Sequence, residues 1–303
     1  MKVAVIGAAG FVGSRIATIL AEQPSIELSL VDRFPFPHPE NPRVKAAVGD
    51  FADPALRDRA LDGADKVILL AAILGGEAEA NYALGRRVNV DATLDLFESL
   101  RGRTPKTRLV FASTIAVYSK PLPDPATDAT ALGPTMVYGA QKLMMEVALS
   151  NFGVRGWLDG VSVRPSGVMA RDGADAALRT AFMSRLFWCV KRGEDITLPV
   201  APDSRTWLTS IEIVARNFIH AAMLPEIGPV RAFTLPALSS TFGELVEALK
   251  RRFPKSPSKI AFVPDPELVA LFGSYPRLVT ETADRLGFLR DASADALVEN
   301  ALS

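Results

Sequence analysis

Apolar, strand-like runs alternating with helical patterns through the first 165 residues predict an α/β fold with a doubly wound parallel sheet. Two further observations support that class. The runs read as nearly continuous apolar stretches, as strands covered on both faces do. A glycine-rich turn also joins the first run to a helical pattern, at the carboxyl end of a strand, where open α/β sheets bind ligands.

The elements follow in order. "KVAVIG" (2–7) is the first strand, and "FVGSRIATILAEQ" (11–23) has helical apolar spacing. "IELSLVD" (26–32) and "RVKAAVGD" (43–50) are the second and third strands. A helix over 53–61 precedes the fourth strand, "KVILLAA" (66–72). One long helix is expected over 79–101, then "TRLVFAS" (107–113) as a fifth strand. A helix over 134–151 and the strand "GVSVRP" (160–165) complete the regular half.

The second half is less regular. Helices are expected at 175–192 and after "TSIE", read as a capping box from Thr209 to Glu212. "TFGE" (241–244) reads as a second capping box. The prolines of "PFPHPENP" (35–42) mark a loop, and 252–270 is proline-dotted and irregular. The expected domains are a dinucleotide-binding one over 1–165, completed by about 207–236, and a smaller C-terminal α/β substrate-binding one over 166–206 and 237–303.

Composition is that of a soluble globular protein, with 49% hydrophobic and 22% charged residues and a formal net charge of +0. That balance gives no charge-driven attraction to nucleic acid or an anionic membrane. The longest apolar run, Val67 to Leu74, is far too short to span a bilayer. The single cysteine, Cys189, lies in an apolar helical context and reads as a packing residue. With no intramolecular disulfide possible, a reducing, cytoplasmic home is expected. No metal is called for.

Gly7-x-x-Gly10-x-x-Gly13 suits a dinucleotide. Gly7 permits the tight turn, Gly10 lets backbone approach a pyrophosphate, and Gly13 allows close helix–strand packing. The helix opening at Phe11 and Val12 offers N–H groups and a positive dipole end to phosphates. Asp32 ends the second strand, where a carboxylate accepts both adenosine ribose hydroxyls and repels a 2′-phosphate, so NAD is expected over NADP. Arg33 beside it is the residue that would favour NADP. Asp50 and Phe51 end the third strand as candidate adenine contacts. Leu70, Ala71 and Ala72 end the fourth, where the cofactor would cross the sheet.

"MVYGAQK" places Tyr138 and Lys142 on one helix face. A phenol is a poor base at its ordinary pKa of about 10. An ammonium and a positive nicotinamide both favour phenolate, and lowering it by about three pH units needs about 4 kcal/mol. Ser113 and Thr114, at the end of the fifth strand, supply hydroxyls to hold a substrate oxygen. The glycine turn, the hydroxyl pair and the Tyr/Lys pair all fall on one sheet edge.

"GAAGFVG", "GDF", "LLAAI", "RVNVDAT", "FASTIAVYS" and "YGAQK" together resemble the extended short-chain dehydrogenase/reductase (NAD-dependent epimerase/dehydratase) superfamily, over the whole chain. The resemblance implies Tyr138 as catalytic base, Lys142 as its partner and a nicotinamide-ribose ligand, and Thr114 as the catalytic hydroxyl. It implies Asn89 as the structural and cofactor-site asparagine, and Ser166 in the nicotinamide-side loop. Within the superfamily, "LAAILGGEAEANYALGRRVNVDAT" and "VYGAQKLMMEVAL" are similar to D-erythronate dehydrogenase-like proteins. That likeness implies NAD-dependent oxidation of a small sugar acid at a secondary alcohol. Gly75, Gly76 and Glu77 would line the substrate side, and Arg171 or Arg205 would bind its carboxylate. Ala92 stands where glycine is usual, and Gly75 where serine is expected.

A nucleotide-sugar epimerase or dehydratase uses the same Tyr/Lys pair, and is the alternative enzyme. A non-catalytic NAD-binding redox sensor is the third reading. Apolar residues on more than one face of 79–101 and 134–151 point to a homodimer through a four-helix bundle.

Overall fold

The computed structural model describes residues 1–103, 106–173 and 181–302. The chain opens with β1 (Lys2–Ile6), α1 (Phe11–Ala21), β2 (Glu27–Asp32), β3 (Val44–Val48), α2 (Pro54–Leu61) and β4 (Lys66–Leu69). Next come α3 (Gly75–Ala80), α4 (Tyr82–Arg86), a π-helical turn (Arg87–Ala92) and α5 (Thr93–Leu100). β5 (Arg108–Ala112), a 3-10 turn (Ile115–Val117), α6 (Val137–Val154) and β6 (Asp159–Arg164) follow. Then come β7 (Gly167–Met169), α7 (Ala181–Arg192), β8 (Ile196–Leu198), β9 (Arg205–Ser210), α8 (Ile211–Met223) and β10 (Ala232–Thr234). The last stretch holds β11 (Leu238–Thr241), α9 (Phe242–Arg252), β12 (Ile260–Phe262), α10 (Pro266–Leu268), a second π turn (Val269–Gly273), α11 (Glu281–Arg285) and α12 (Ala294–Ala301).

Two units emerge. The first comprises Met1–Lys120, Ala131–Arg164 and Ala215–Thr234. It is built on a seven-stranded sheet in the order β10-β6-β5-β4-β1-β2-β3, parallel throughout. Strand order reverses between β1 and β4, which creates the crevice where such sheets bind ligands. The apolar runs of β1, β4 and β5 are buried, as their sequences require; β3 is a half-exposed edge. Behind the sheet, Phe97 meets Phe111 and Phe152 edge-on, and Phe152 meets Trp157 at 5.3 Å.

The second unit comprises Pro121–Thr130, Pro165–Val214 and Leu235–Ser303. Its three-stranded sheet runs β11-β9-β7, and β12 pairs with β8. Cys189 is buried in its core among residues of α7, α9 and α12. Two expected domain limits shift for identifiable reasons. Ala126 pairs with Leu278, its N–H donating to the Arg277 carbonyl, so 121–130 belongs with the second unit. Trp207 to Ser210 lie in β9, so the first unit resumes only at Ala215.

Three local expectations also change. The helix expected over 79–101 breaks at Asn81, whose side chain caps α4 by accepting the Leu84 N–H. The capping box expected at Thr209 is replaced: Ser210 accepts the Ile213 N–H, while Thr209 is a buried strand residue. The first part of the helix expected at 175–192 lies outside the described residues, and α7 is described from Ala181. The Thr241–Glu244 capping box is present in both directions. Among the described residues no helix is long and apolar enough to cross a membrane, and no cluster of His, Cys, Asp or Glu is placed to hold a metal ion.

Candidate active site

The glycine turn follows β1 directly. Gly7 has φ +96° and donates its N–H to the Val31 carbonyl at 2.8 Å, tying the turn to β2. A side chain on Gly7 would place its first carbon 2.6 Å from the Ala71 nitrogen; on Gly13 it would sit 2.1 Å from the Gly7 carbonyl oxygen. Both positions therefore need glycine to bring α1 and β4 against the turn. Gly10 is the N-cap of α1 and brings no capping side chain, so the helix opens through Phe11 and Val12 without one.

Asp32 stands at the end of β2. Its Oδ2 accepts the Ala9 N–H at 2.9 Å and its Oδ1 the Phe34 N–H at 3.3 Å, which aims the carboxylate at the glycine turn. Arg33 is exposed, with its guanidinium 4.7 Å from the Phe34 ring centre. Asp50 caps the following turn through the Ala52 N–H and lies 3.3 Å from Arg87. The Phe51 ring is part of the hydrophobic core, which leaves only its backbone to face a ligand.

Leu70 and Ala71 both donate their N–H groups to the Ile6 carbonyl, so the segment leaving β4 lies beside the glycine turn. Ala72 follows, half-buried. Asn89, in the π turn, fastens this segment from below. Its Oδ1 accepts the Ile73 N–H, and its Nδ2 donates to the Ile73 carbonyl and to Gln141 Oε1. Both amide donors of Asn89 are thereby used inside the protein. Gly75, Gly76 and Glu77 open α3, and Glu79 on that helix accepts the Val137 N–H at 2.5 Å, which caps α6.

Thr114 caps the 3-10 turn, its Oγ1 accepting the Ala116 N–H at 3.1 Å. A side chain on Gly139 would lie 2.4 Å from the Ala116 carbonyl oxygen. Glycine there lets the first turn of α6, with Tyr138, press onto the turn that Thr114 begins. Lys142 is 2% exposed. Its Nζ donates to the Ala112 carbonyl at 2.8 Å and lies 5.7 Å from the Tyr138 ring centre. Burial pushes the Lys142 ammonium down to about 7, with Glu146 working in the opposite direction.

Ser113 departs from expectation. It is buried, and its hydroxyl donates to Glu146 inside the unit rather than standing beside Thr114 on the ligand edge. Glu146, Arg164, Gln141 and Glu79 surround the site and were not among the sequence candidates. The signal for Glu146 was available, as a carboxylate in the apolar "LMMEVAL" on the same helix stripe as Tyr138 and Lys142.

Ser166, Arg171 and Arg205 belong to the second unit. The Ser166 hydroxyl is buried and has no hydrogen-bond partner among the described residues. Arg171 follows Ala170, whose φ is +67°. Arg205 opens β9, exposed, and reaches the Ser239 carbonyl at 3.4 Å.

Residues 3–222 match the NAD dependent epimerase/dehydratase family. A D-erythronate dehydrogenase of Cupriavidus necator is 32% identical over 98% of this chain and 97% of its own length. One from Haemophilus influenzae is 31% identical over 99% and 98%. Among solved structures, the nucleoside-diphosphate-sugar epimerase from Agrobacterium tumefaciens is 31% identical with a TM-score of 0.88, over 98% of this chain and 92% of that one. An L-threonine dehydrogenase from Cupriavidus necator shares the fold, with a TM-score of 0.86 at 21% identity over 100% and 99%.

Proposed function

The chain belongs to the NAD dependent epimerase/dehydratase family, and from that membership we propose that it oxidises a secondary alcohol of a small, D-erythronate-like sugar acid. It is an enzyme of the extended short-chain dehydrogenase/reductase type, and NAD is its cofactor. The residues present fit that group. The turn at Gly7, Gly10 and Gly13 is bare of side chains, and Asp32 is held at the end of β2 for a ribose. When bound, NAD supplies the hydride acceptor.

The protein's own residues do the rest. Tyr138, as phenolate, takes the substrate hydroxyl proton at its Oη. Lys142, in its ammonium form, stabilises that phenolate and holds the cofactor ribose. Thr114 orients the reacting oxygen. Asn89 acts through the 70–74 segment it fastens, and Asp50 with the Phe51 backbone receives the adenine. Ser166 lies on the nicotinamide side; Gly75, Gly76 and Glu77 line the substrate. Arg171 or Arg205 binds its carboxylate, since guanidinium suits that anion. The observation that carries this reading is the 32% and 31% identity, over nearly the full length, to two D-erythronate dehydrogenases, combined with Thr114, Tyr138 and Lys142.

The nucleotide-sugar epimerase reading is favoured by the Agrobacterium structure and by a UDP-glucose 4-epimerase of Corynebacterium glutamicum, 27% identical over 73% of this chain and 67% of its own length. A non-catalytic sensor has no use for both Tyr138 and Lys142. The test is NADH absorbance with four- and five-carbon sugar acids, set against nucleotide sugars. NADH release with a sugar acid and none with nucleotide sugars is expected; the reverse would overturn the reading.

Exposed Leu94 on α5 and Met144 and Val147 on α6, the last 64% exposed, form the face of a proposed homodimer through a four-helix bundle. Sedimentation showing only monomer at micromolar concentration would discard it. The lone buried cysteine supports a cytoplasmic home.

A further inference from the structure

Behind Lys142 lies a buried ion pair that the proposed reaction does not use. Glu146 and Arg164 are each 3% exposed. Arg164 donates twice to Glu146, from Nε to Oε1 at 2.9 Å and from Nη2 to Oε2 at 2.7 Å. Its remaining arm donates to the Tyr118 hydroxyl at 3.2 Å, and that hydroxyl contacts Thr234 Oγ1 at 2.5 Å. Ser113 adds its own hydroxyl to Glu146. The network spans α6, β5, β6, β10 and the exit of the 3-10 turn.

Such a pair is poor evidence for stability. Burying two charges costs about as much as their attraction returns, and apolar replacements are often neutral or better. Its position explains it instead. Tyr138, Lys142 and Glu146 recur at successive turns of α6, on one stripe. Lys142 grips the carbonyl of Ala112, Glu146 grips Ser113, and the next residue is Thr114. Two consecutive residues at the end of β5 are therefore pinned to the helix that carries the proposed base.

We propose that Glu146 is a positioning residue of the reaction: anchored by Arg164 and Ser113, it fixes α6 against the end of β5 and favours the ammonium form of Lys142 beside Tyr138. The directions agree, because Glu146 is the charged neighbour that raises the Lys142 pKa against burial. The other ionisable groups on this face are Tyr138 on α6, Arg164 on β6 and Tyr118 after the 3-10 turn. The charged groups on the remaining elements against α6 are Glu77 and Glu79 on α3, Arg86 on α4, Arg87 and Asp91 in the π turn, and Asp95 and Glu98 on α5. All seven occupy exposed positions.

The inference rests on the dehydrogenase reading for its meaning, but its first test needs no substrate. The protein is labelled with 13C-lysine and titrated by NMR, with the Lys142 signal identified by its absence from Lys142→Met. In Glu146→Gln the Lys142 midpoint is expected to fall by about one pH unit, and Glu146→Asp to restore most of it. Where Glu146→Gln fails to fold with Arg164 left unpaired, the double variant Glu146→Gln/Arg164→Met takes its place; loss of the guanidinium offsets part of the loss of the nearer carboxylate, so a smaller fall, about half a pH unit, is expected. An unmoved or raised midpoint in whichever variant folds overturns the proposal. A second arm follows NADH formation from D-erythronate, where kcat is expected to fall about tenfold with KM for NAD within about twofold. Wild-type protein inert toward D-erythronate would overturn the substrate assignment instead, and the NMR titration would still decide the role of Glu146.

Discussion

Replacing Lys142 by methionine removes the most deeply buried ammonium of the proposed site, and the structure fixes how stability must respond to pH. The folded value of Lys142, about 7, lies below its ordinary 10.5 because burial penalises the charged form. Between those values the unfolded chain holds a proton that the folded chain has lost, so unfolding takes one up and stability rises with pH. Below about 7 the cost of burying the charge is fully present; above 10.5 it is gone. At about 1.4 kcal/mol per pH unit, the whole span corresponds to about 5 kcal/mol, and the range from pH 7 to 9.5 to about 3 kcal/mol. Methionine keeps the packing volume and carries no charge. Lys142→Met is therefore expected to be more stable than wild type near pH 7, less the hydrogen bond to the Ala112 carbonyl, about 1 kcal/mol. That advantage should shrink by about 3 kcal/mol as pH rises to 9.5. Urea unfolding of both proteins, followed by circular dichroism at half-unit pH intervals, measures it. A gap that stays flat across that range, or widens, would show that burial does not govern Lys142.

Two further outcomes test the site from other sides. Tyr138→Phe should lower kcat by about 10²- to 10⁴-fold with NAD affinity retained, because only the proton acceptor is lost; steady-state kinetics with NAD titrated by fluorescence separates the two, and intact turnover would end the assignment. Gly13→Ala should weaken NAD binding at least about tenfold and destabilise the fold by about 1–3 kcal/mol, because its new carbon would fall 2.1 Å from the Gly7 carbonyl. Wild-type binding and melting in that variant would mean the turn relaxes freely.

The local signals were legible. The glycine turn, the aspartate ending β2 and the Tyr/Lys pair each depend on a few neighbouring residues, and six of the seven parallel strands follow from the alternation of apolar runs with helices, while β10 was not among the expected strands. Ser113 was misread for a reason the sequence contains. Successive strand residues point to opposite faces, so of Ser113 and Thr114 only one turns toward the ligand edge. The π turn inside the helix expected over 79–101 has a different origin. The π turn coincides with Asn89 reaching Ile73, a long-range demand that local propensity does not encode. The assignment of 121–130 to the second unit likewise rests on pairing with 277–279, distant in sequence. Glu146 could be picked out as an acid in an apolar stretch on the Tyr138/Lys142 stripe, but its partner Arg164 lies eighteen residues on in another strand, so the sequence does not show the pair.

The contact between Gly139 and the Ala116 carbonyl is main chain against main chain. A spacing set by backbone atoms does not drift when side chains are exchanged nearby. Residues that grip one substrate or another are then free to change over generations while the phenol and the threonine hydroxyl keep their separation. A lineage with such a fixed gauge at its centre can diversify at the rim, and the match of one chain both to dehydrogenases and to an epimerase is what that arrangement would leave behind.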